Sequence, residues 1–186
     1  MSTALWLLAF LGAVGAFDTL YYHEWRARLP ARTPVTSGEL RLHAACDFLY
    51  AILFGTLPWL AWHGAWTLVL GGVIAAEIAL TFADFVEEAS ARKELGDVFP
   101  GERVTHAVMA ITYGAVLASL LPELWTWVGA PSGLAWSPAP VAPGLRVALT
   151  LMAAGVFASG VRDVYAASGG CGGAWPWARA RLPRAR

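Results

Sequence analysis

Charge is what this sequence has least of. Asp, Glu, Lys and Arg make up only 14% of the 186 residues, where a soluble domain carries about a quarter. The formal net charge is zero, so no polyanion-binding surface is implied and nucleic acid is not an expected partner. Cysteine is nearly absent. Cys46 and Cys171 are far apart and form no CxxC pair, which argues against a disulfide framework or a thiolate zinc site. Only four histidines occur, too few for the long multi-histidine pattern of membrane desaturases. The opening run MSTALWLLAFLGAVGAF lacks the basic start of a secretory signal, and Arg26, Arg28, Arg32 and Arg41 follow it instead. It therefore reads as a retained membrane helix. We find no internal repeat.

What the chain has in abundance is apolar surface: 58% hydrophobic residues and ten tryptophans. That balance predicts an all-α integral membrane bundle. Crossing the hydrocarbon takes about 20 mostly apolar residues. Five stretches come close, at 4–25, 43–62, 65–86, 104–128 and 145–165. The second and third are separated by little more than His63 and Gly64, which predicts a tight helical hairpin. Pro58 and Pro122 then fall inside spans, where neighbouring helices can satisfy the freed carbonyls. Gly155, Ala158 and Ser159 suit the fifth span to close packing. The stretch GAPSGLAWSPAPVAPG is uncharged and has four prolines, so it reads as a loop. Residues 1–168 form the expected bundle, and 169–186 a flexible basic and aromatic tail.

Five spans place the termini on opposite sides of the membrane. The connections 1-to-2 and 3-to-4, with the tail, then hold eleven of the thirteen Lys and Arg residues; Arg162 lies at the same end within the fifth span, leaving only Arg146 opposite. Basic flanks favour the cytoplasm, so the N-terminus is expected outside and the tail inside. The expected location is a bacterial-type inner (cytoplasmic) membrane, with membrane lipid as the surround. Trp59, Trp62, Trp66, Trp125 and Trp127 read as an outer interfacial belt.

Against this apolar background the stretch ELRLHAACDFLY carries Glu39, His43, Asp47 and Tyr50 at helical spacing. Glu77, Asp84 and Glu88 repeat the pattern in the third span. Glu102, His106 and Tyr113 do so in the fourth, and Asp18 with Tyr22 in the first. All four stripes lie toward one membrane face. His23 and Glu24 point elsewhere if the first helix stays regular. A lone intramembrane carboxylate costs about 2.5–3.5 kcal/mol on the insertion scale, and several together repel. The arginines read as loop residues able to reach water, so a metal ion is the expected compensation.

The candidate ligands are Asp18, His43, Asp47, Asp84, Glu88 and His106. Glu39, Glu102, His23 and Glu24 are supporting or substitute ligands. Two imidazoles with four carboxylates match the ligand inventory of di-iron and di-manganese bundle sites. The Glu-x-x-His spacing of those sites is missing, so the inventory alone is similar and no family follows. Iron is expected, with manganese or zinc as alternatives. A bis-histidine haem b between His43 and His106 is the rival cofactor.

The function that follows is a membrane metalloenzyme, an oxidoreductase acting on a lipid-like substrate. Tyr50, Tyr113 or Tyr22 would relay an electron or proton, and Glu77 would shuttle protons or line the substrate chamber. The same ligands also suit a metal-dependent hydrolase. From a different class comes a non-catalytic subunit with a protein partner, or a homo-oligomer. Ion translocation is poorly supported, because only His63 and Glu123 continue the polar path outward.

Overall fold

A computed structural model describes residues 1–177. It has five helices: α1 (Ser2–Phe17), α2 (Ser37–Thr56), α3 (Ala65–Ala91), α4 (Pro100–Val128) and α5 (Pro143–Ala167). Four helical segments are long and apolar enough to cross a membrane: α1 with its continuation to Ala31, α3, α4 and α5. The chain is thus a multi-pass helical membrane protein.

The exception is α2, which carries Glu39, Arg41 and Asp47. Its position explains why. Arg41 is the one exposed residue of α2, because α2 packs against α5 on one side and α3 on the other. A helix wrapped by other helices need not be apolar all round. By contrast α3, α4 and α5 turn Leu68, Val86, Ile111, Leu121 and Leu151 outward, each more than 60% exposed. Such side chains suit acyl chains. Leu5, Leu8, Leu53, Leu70, Leu120 and Leu149 fill the interior between them.

The close approach of α5 to α2 depends on Gly160. A Cβ there would stand 3.0 Å from the Phe48 ring, 3.1 Å from Asp47 Cβ and 3.2 Å from the Ala44 carbonyl oxygen. The expected small-residue contact thus moves along the helix. Gly155 and Ala158 are exposed, and a Cβ on Gly155 would meet nothing within 4 Å.

The second span also ends earlier than expected. Helix α2 stops at Thr56, so Pro58 lies in a turn and not inside a span. Strand β1 (Leu60–His63) follows and pairs antiparallel with β2 (Gly133–Trp136), itself part of the expected loop. The α2–α3 connection is therefore a turn and a strand, not a two-residue helical hairpin. Gly64 makes the exit into α3 at φ +58°, where an added Cβ would fall 2.4 Å from Ser132 Oγ. Trp59, Trp62, Trp66, Trp125, Trp127 and Trp136 lie at this end, with Trp59 stacked on Trp136 at 5.3 Å.

At the opposite end α1 continues as a π-helix over Asp18–Ala27 and closes at Arg28, φ 53°. The Arg28 amide donates to the His23 carbonyl, five residues back. A 3-10 turn over Leu29–Ala31 leads toward α2, and another over Arg92–Leu95 follows α3. After α5, Arg162 donates to the Trp175 carbonyl at 2.7 Å and Arg28 lies 4.1 Å from the Trp177 ring centre. The basic part of the expected tail, 178–186, lies outside the described residues.

Candidate metal centre

Four polar stripes meet at the end of the bundle where α1 and α3 finish and α2 and α4 begin. His106 Nε2 on α4 lies 3.1 Å from Asp18 Oδ2, and its Nδ1 lies 3.5 Å from Glu88 Oε2 on α3. His43 Nε2 on α2 lies 3.2 Å from Asp84 Oδ2. Asp18, His43, Asp84, Glu88 and His106 are thus brought together from four segments distant in sequence. Phe85 covers this layer with its ring stacked on His106 at 5.5 Å.

His23 sits in the middle of the group, where a regular helix would not put it. Five residues of α-helix turn a side chain about 140° from its starting face. Winding with i to i+5 hydrogen bonds instead brings residue i+5 back over residue i. Asp18 and His23 have that spacing. His23 Nε2 consequently lies 3.2 Å from both Asp18 Oδ2 and Glu102 Oε1, and its ring stacks on His43 at 4.5 Å. No periodicity in the sequence announces this change of winding, so the sequence alone gives His23 only a substitute role.

A second correction concerns charge compensation. An arginine does enter the cluster. Arg92 is 1% exposed. Its Nη2 donates to Glu39 Oε1 at 2.8 Å and to Glu102 Oε1 at 2.9 Å, and its Nε donates to Glu39 at 3.0 Å. Glu88 Oε1 is 3.8 Å away. Burial alone would lower the guanidinium's pKa, but the hydrogen bonds it donates to Glu39 and the charges of Glu39, Glu102 and Glu88 hold it above its ordinary value. The 3-10 turn after α3 folds Arg92 back into the bundle instead of letting it extend to water. Glu39 is accordingly committed to Arg92, although its carboxylate also lies near His23 and His43. Glu102 additionally accepts the Phe99 amide at 3.3 Å, at the start of α4.

Asp47 is the expected ligand that the fold turns away. Its carboxyl lies beside Ser159 and near Asp163 of α5, because the Gly160 contact draws that face of α2 toward α5. Asp163 itself is buried. Glu24 is also directed to α5, where both its carboxylate oxygens pair with the Arg162 guanidinium.

Arg92 offsets only part of the charge. Asp18, Glu39, Asp84, Glu88 and Glu102 are five carboxylates around one guanidinium. With neutral imidazoles, four negative charges remain, the amount two divalent ions would balance. The polar atoms are also incompletely satisfied. Asp18 Oδ1, His23 Nε2, Asp84 Oδ1 and Glu88 Oε1 are buried without a hydrogen-bond partner. For His23 Nε2 the neighbouring oxygens are close enough, but lie off the direction a hydrogen bond requires. Ligand atoms at about 2.0–2.2 Å from one metal ion are about 3.0–3.5 Å from one another. The imidazole–carboxylate contacts span 3.1–3.5 Å. Two groups of ligand atoms lie within 4.8 Å of one another: His23, Glu88, Glu102 and His106, and His23, Glu39 and His43. Buried His and Glu groups that could hold a metal ion are therefore present. A bis-histidine haem gains nothing here, since His43 and His106 each direct Nε2 at a carboxylate.

Beneath this layer lies a smaller polar group. Glu77 is 1% exposed and accepts the Thr81 hydroxyl at 2.9 Å on Oε1. The phenols of Tyr50 and Tyr113 face its carboxyl, as does Cys46, and the two tyrosine rings meet edge-on at 6.0 Å. Glu77 Oε2 and the Tyr113 hydroxyl complete no hydrogen bond. Beyond Glu77 the interior is apolar to the β-strand end. Tyr22 belongs to neither group: its ring stacks on Phe99 at 6.2 Å and its hydroxyl rests over Gly101.

No protein-family model, curated protein or solved structure matches this chain. The functional reading stands on the geometry.

Proposed function

We propose that the chain is an integral membrane metalloenzyme, an oxidoreductase that acts on a lipid-like substrate through a pair of metal ions. Iron is the expected metal and manganese the alternative, since mixed imidazole and carboxylate donors suit both. Asp18, His23, His43, Asp84, Glu88, Glu102 and His106 would hold the ions. The observation that carries this reading is a buried cluster in which three imidazoles stand 3.1–3.5 Å from carboxylate oxygens, while His23 Nε2 and the second oxygens of Asp18, Asp84 and Glu88 have no hydrogen-bond partner. Buried polar groups left unpaired call for an explanation such as an ion, and with the imidazoles neutral the carboxylates exceed Arg92 by four charges, which favours a cation over water. When bound, the metal pair would supply redox chemistry. The protein's own part is to fix the ligands, shield them beneath Phe85, and keep Glu39 and Glu102 oriented through Arg92. We take the chamber to face the cytoplasm, the side that the arginine distribution favours.

The test is elemental analysis with an absorption spectrum of detergent-purified protein. About two irons per chain is the expected result, lost in His23→Ala, His43→Ala and His106→Ala. A strong Soret band would replace the reading with haem.

Arg92 favours a second reading. Its pairing with Glu39 and Glu102 is a self-compensating network of the kind that holds helices in register. A non-catalytic subunit would need nothing more. Metal-free protein that co-purifies with a stoichiometric partner would establish that alternative.

A further inference from the structure

We propose that Tyr113 is a one-electron, one-proton donor to the metal centre, with the Glu77 carboxylate as the proton acceptor. The inference rests on the metalloenzyme reading and adds a defined role for the polar layer beneath the ligands.

Three observations support it. The first is position. Tyr113 follows His106 by seven residues on α4, and Glu77 precedes Asp84 by seven on α3. Seven residues are about two turns, so both side chains stay on the ligand-bearing faces, about 10 Å farther along the axis.

The second is the unfinished pairing. Tyr113 is 8% exposed and Glu77 1% exposed. Thr81 occupies Glu77 Oε1, while Oε2 and the facing Tyr113 hydroxyl have no hydrogen-bond partner. A phenol with a carboxylate oxygen before it and no other acceptor has one place to send its proton.

The third is isolation. Toward the β-strand end Leu70, Val116 and Leu120 close the interior. This apolar packing gives the layer no polar continuation on that side, which is unsuited to ion passage, while the candidate ligands lie on the other side along α3 and α4. Tyr50, edge-on to Tyr113, fixes the ring and shares the carboxyl.

The step balances as follows. The Tyr113 O–H bond breaks, and its proton forms a new O–H bond at Glu77 Oε2. The electron would pass to a bound metal ion that dioxygen has oxidised by one level, returning that ion to its resting state. Tyr113 is left as a neutral phenoxyl radical and Glu77 as a neutral acid. The negative charge leaves Glu77 and lowers the positive charge of the metal centre by one, so no new charge is created in a medium that solvates charge poorly.

The experiment uses the full chain in detergent, loaded with ferrous iron without oxygen, exposed to dioxygen and freeze-quenched for electron paramagnetic resonance. The expected result is an organic radical whose hyperfine pattern changes with ring-deuterated tyrosine. It should be absent in Tyr113→Phe and retained in Tyr50→Phe. Glu77→Gln should lower its yield at least tenfold. All three variants should bind as much iron as the parent and melt within a few degrees of it. A fully iron-loaded parent with no tyrosyl signal, or an undiminished signal in Tyr113→Phe, overturns the proposal while leaving the metal centre standing. Absence of bound iron in the parent overturns both.

Discussion

His23 Nε2 stands 3.2 Å from Asp18 Oδ2, although five residues of regular helix would set the two side chains on different faces. The π-helical segment at the end of α1 decides what the ligand set is. It turns His23 from an outward-facing neighbour of Glu24 into the residue common to both candidate ligand groups.

His23→Ala is therefore expected to weaken metal binding as strongly as His43→Ala or His106→Ala, by at least the tenfold seen when even supporting groups are lost. Tyr22→Phe, one position away, should change nothing. Competition with a calibrated chelator measures all four.

Removing Arg92 should be the most damaging single change at this end of the bundle. Arg92→Met leaves Glu39 and Glu102 buried without their partner, at a cost of about 3–5 kcal/mol. Adding Glu39→Gln to it should recover part of the loss. Thermal unfolding in detergent reads the effect, and equal melting of Arg92→Met and the parent would contradict the ion pairing described.

Metal removal should lower stability by mass action. At free metal about a hundredfold above its Kd, the bound ions contribute about 2.7 kcal/mol per site. Ligands must be deprotonated to bind, so uptake releases protons and affinity rises with pH. The melting temperature should fall with chelator at neutral pH. The metal-dependent part should shrink as the solution is acidified through the imidazole range.

The α2–α5 contact separates two glycines. Gly160→Ala forces a Cβ into space bounded by Phe48, Asp47 and Ala44 and should cost about 1–3 kcal/mol. Gly155→Ala meets open space and should stabilise by about 0.5–1 kcal/mol, the helical difference between the two residues. Opposite signs in the same helix would be visible in paired melting curves.

Much of the architecture is legible in the chain itself. Hydrophobic length identifies the crossing helices, because the demand to bury about 20 apolar residues is local and additive. Spacings of four and seven align Glu77 with Asp84 and Glu88, and His106 with Tyr113, because α-helical winding carries a fixed period. These properties belong to single segments, so the sequence alone determined them, and with them the membrane class and four of the polar stripes.

Only the tertiary structure decided the rest. Arg92 reaches Glu39 across 53 residues and His106 reaches Asp18 across 88, and no local pattern specifies such pairs. Asp47 has the right spacing but leaves the cluster because Gly160 admits α5 on its side. His23 has the wrong spacing but joins because the helix changes its winding beneath it. Which side chains share a centre depends on how helices rotate and approach one another, and that is fixed by packing over the whole bundle.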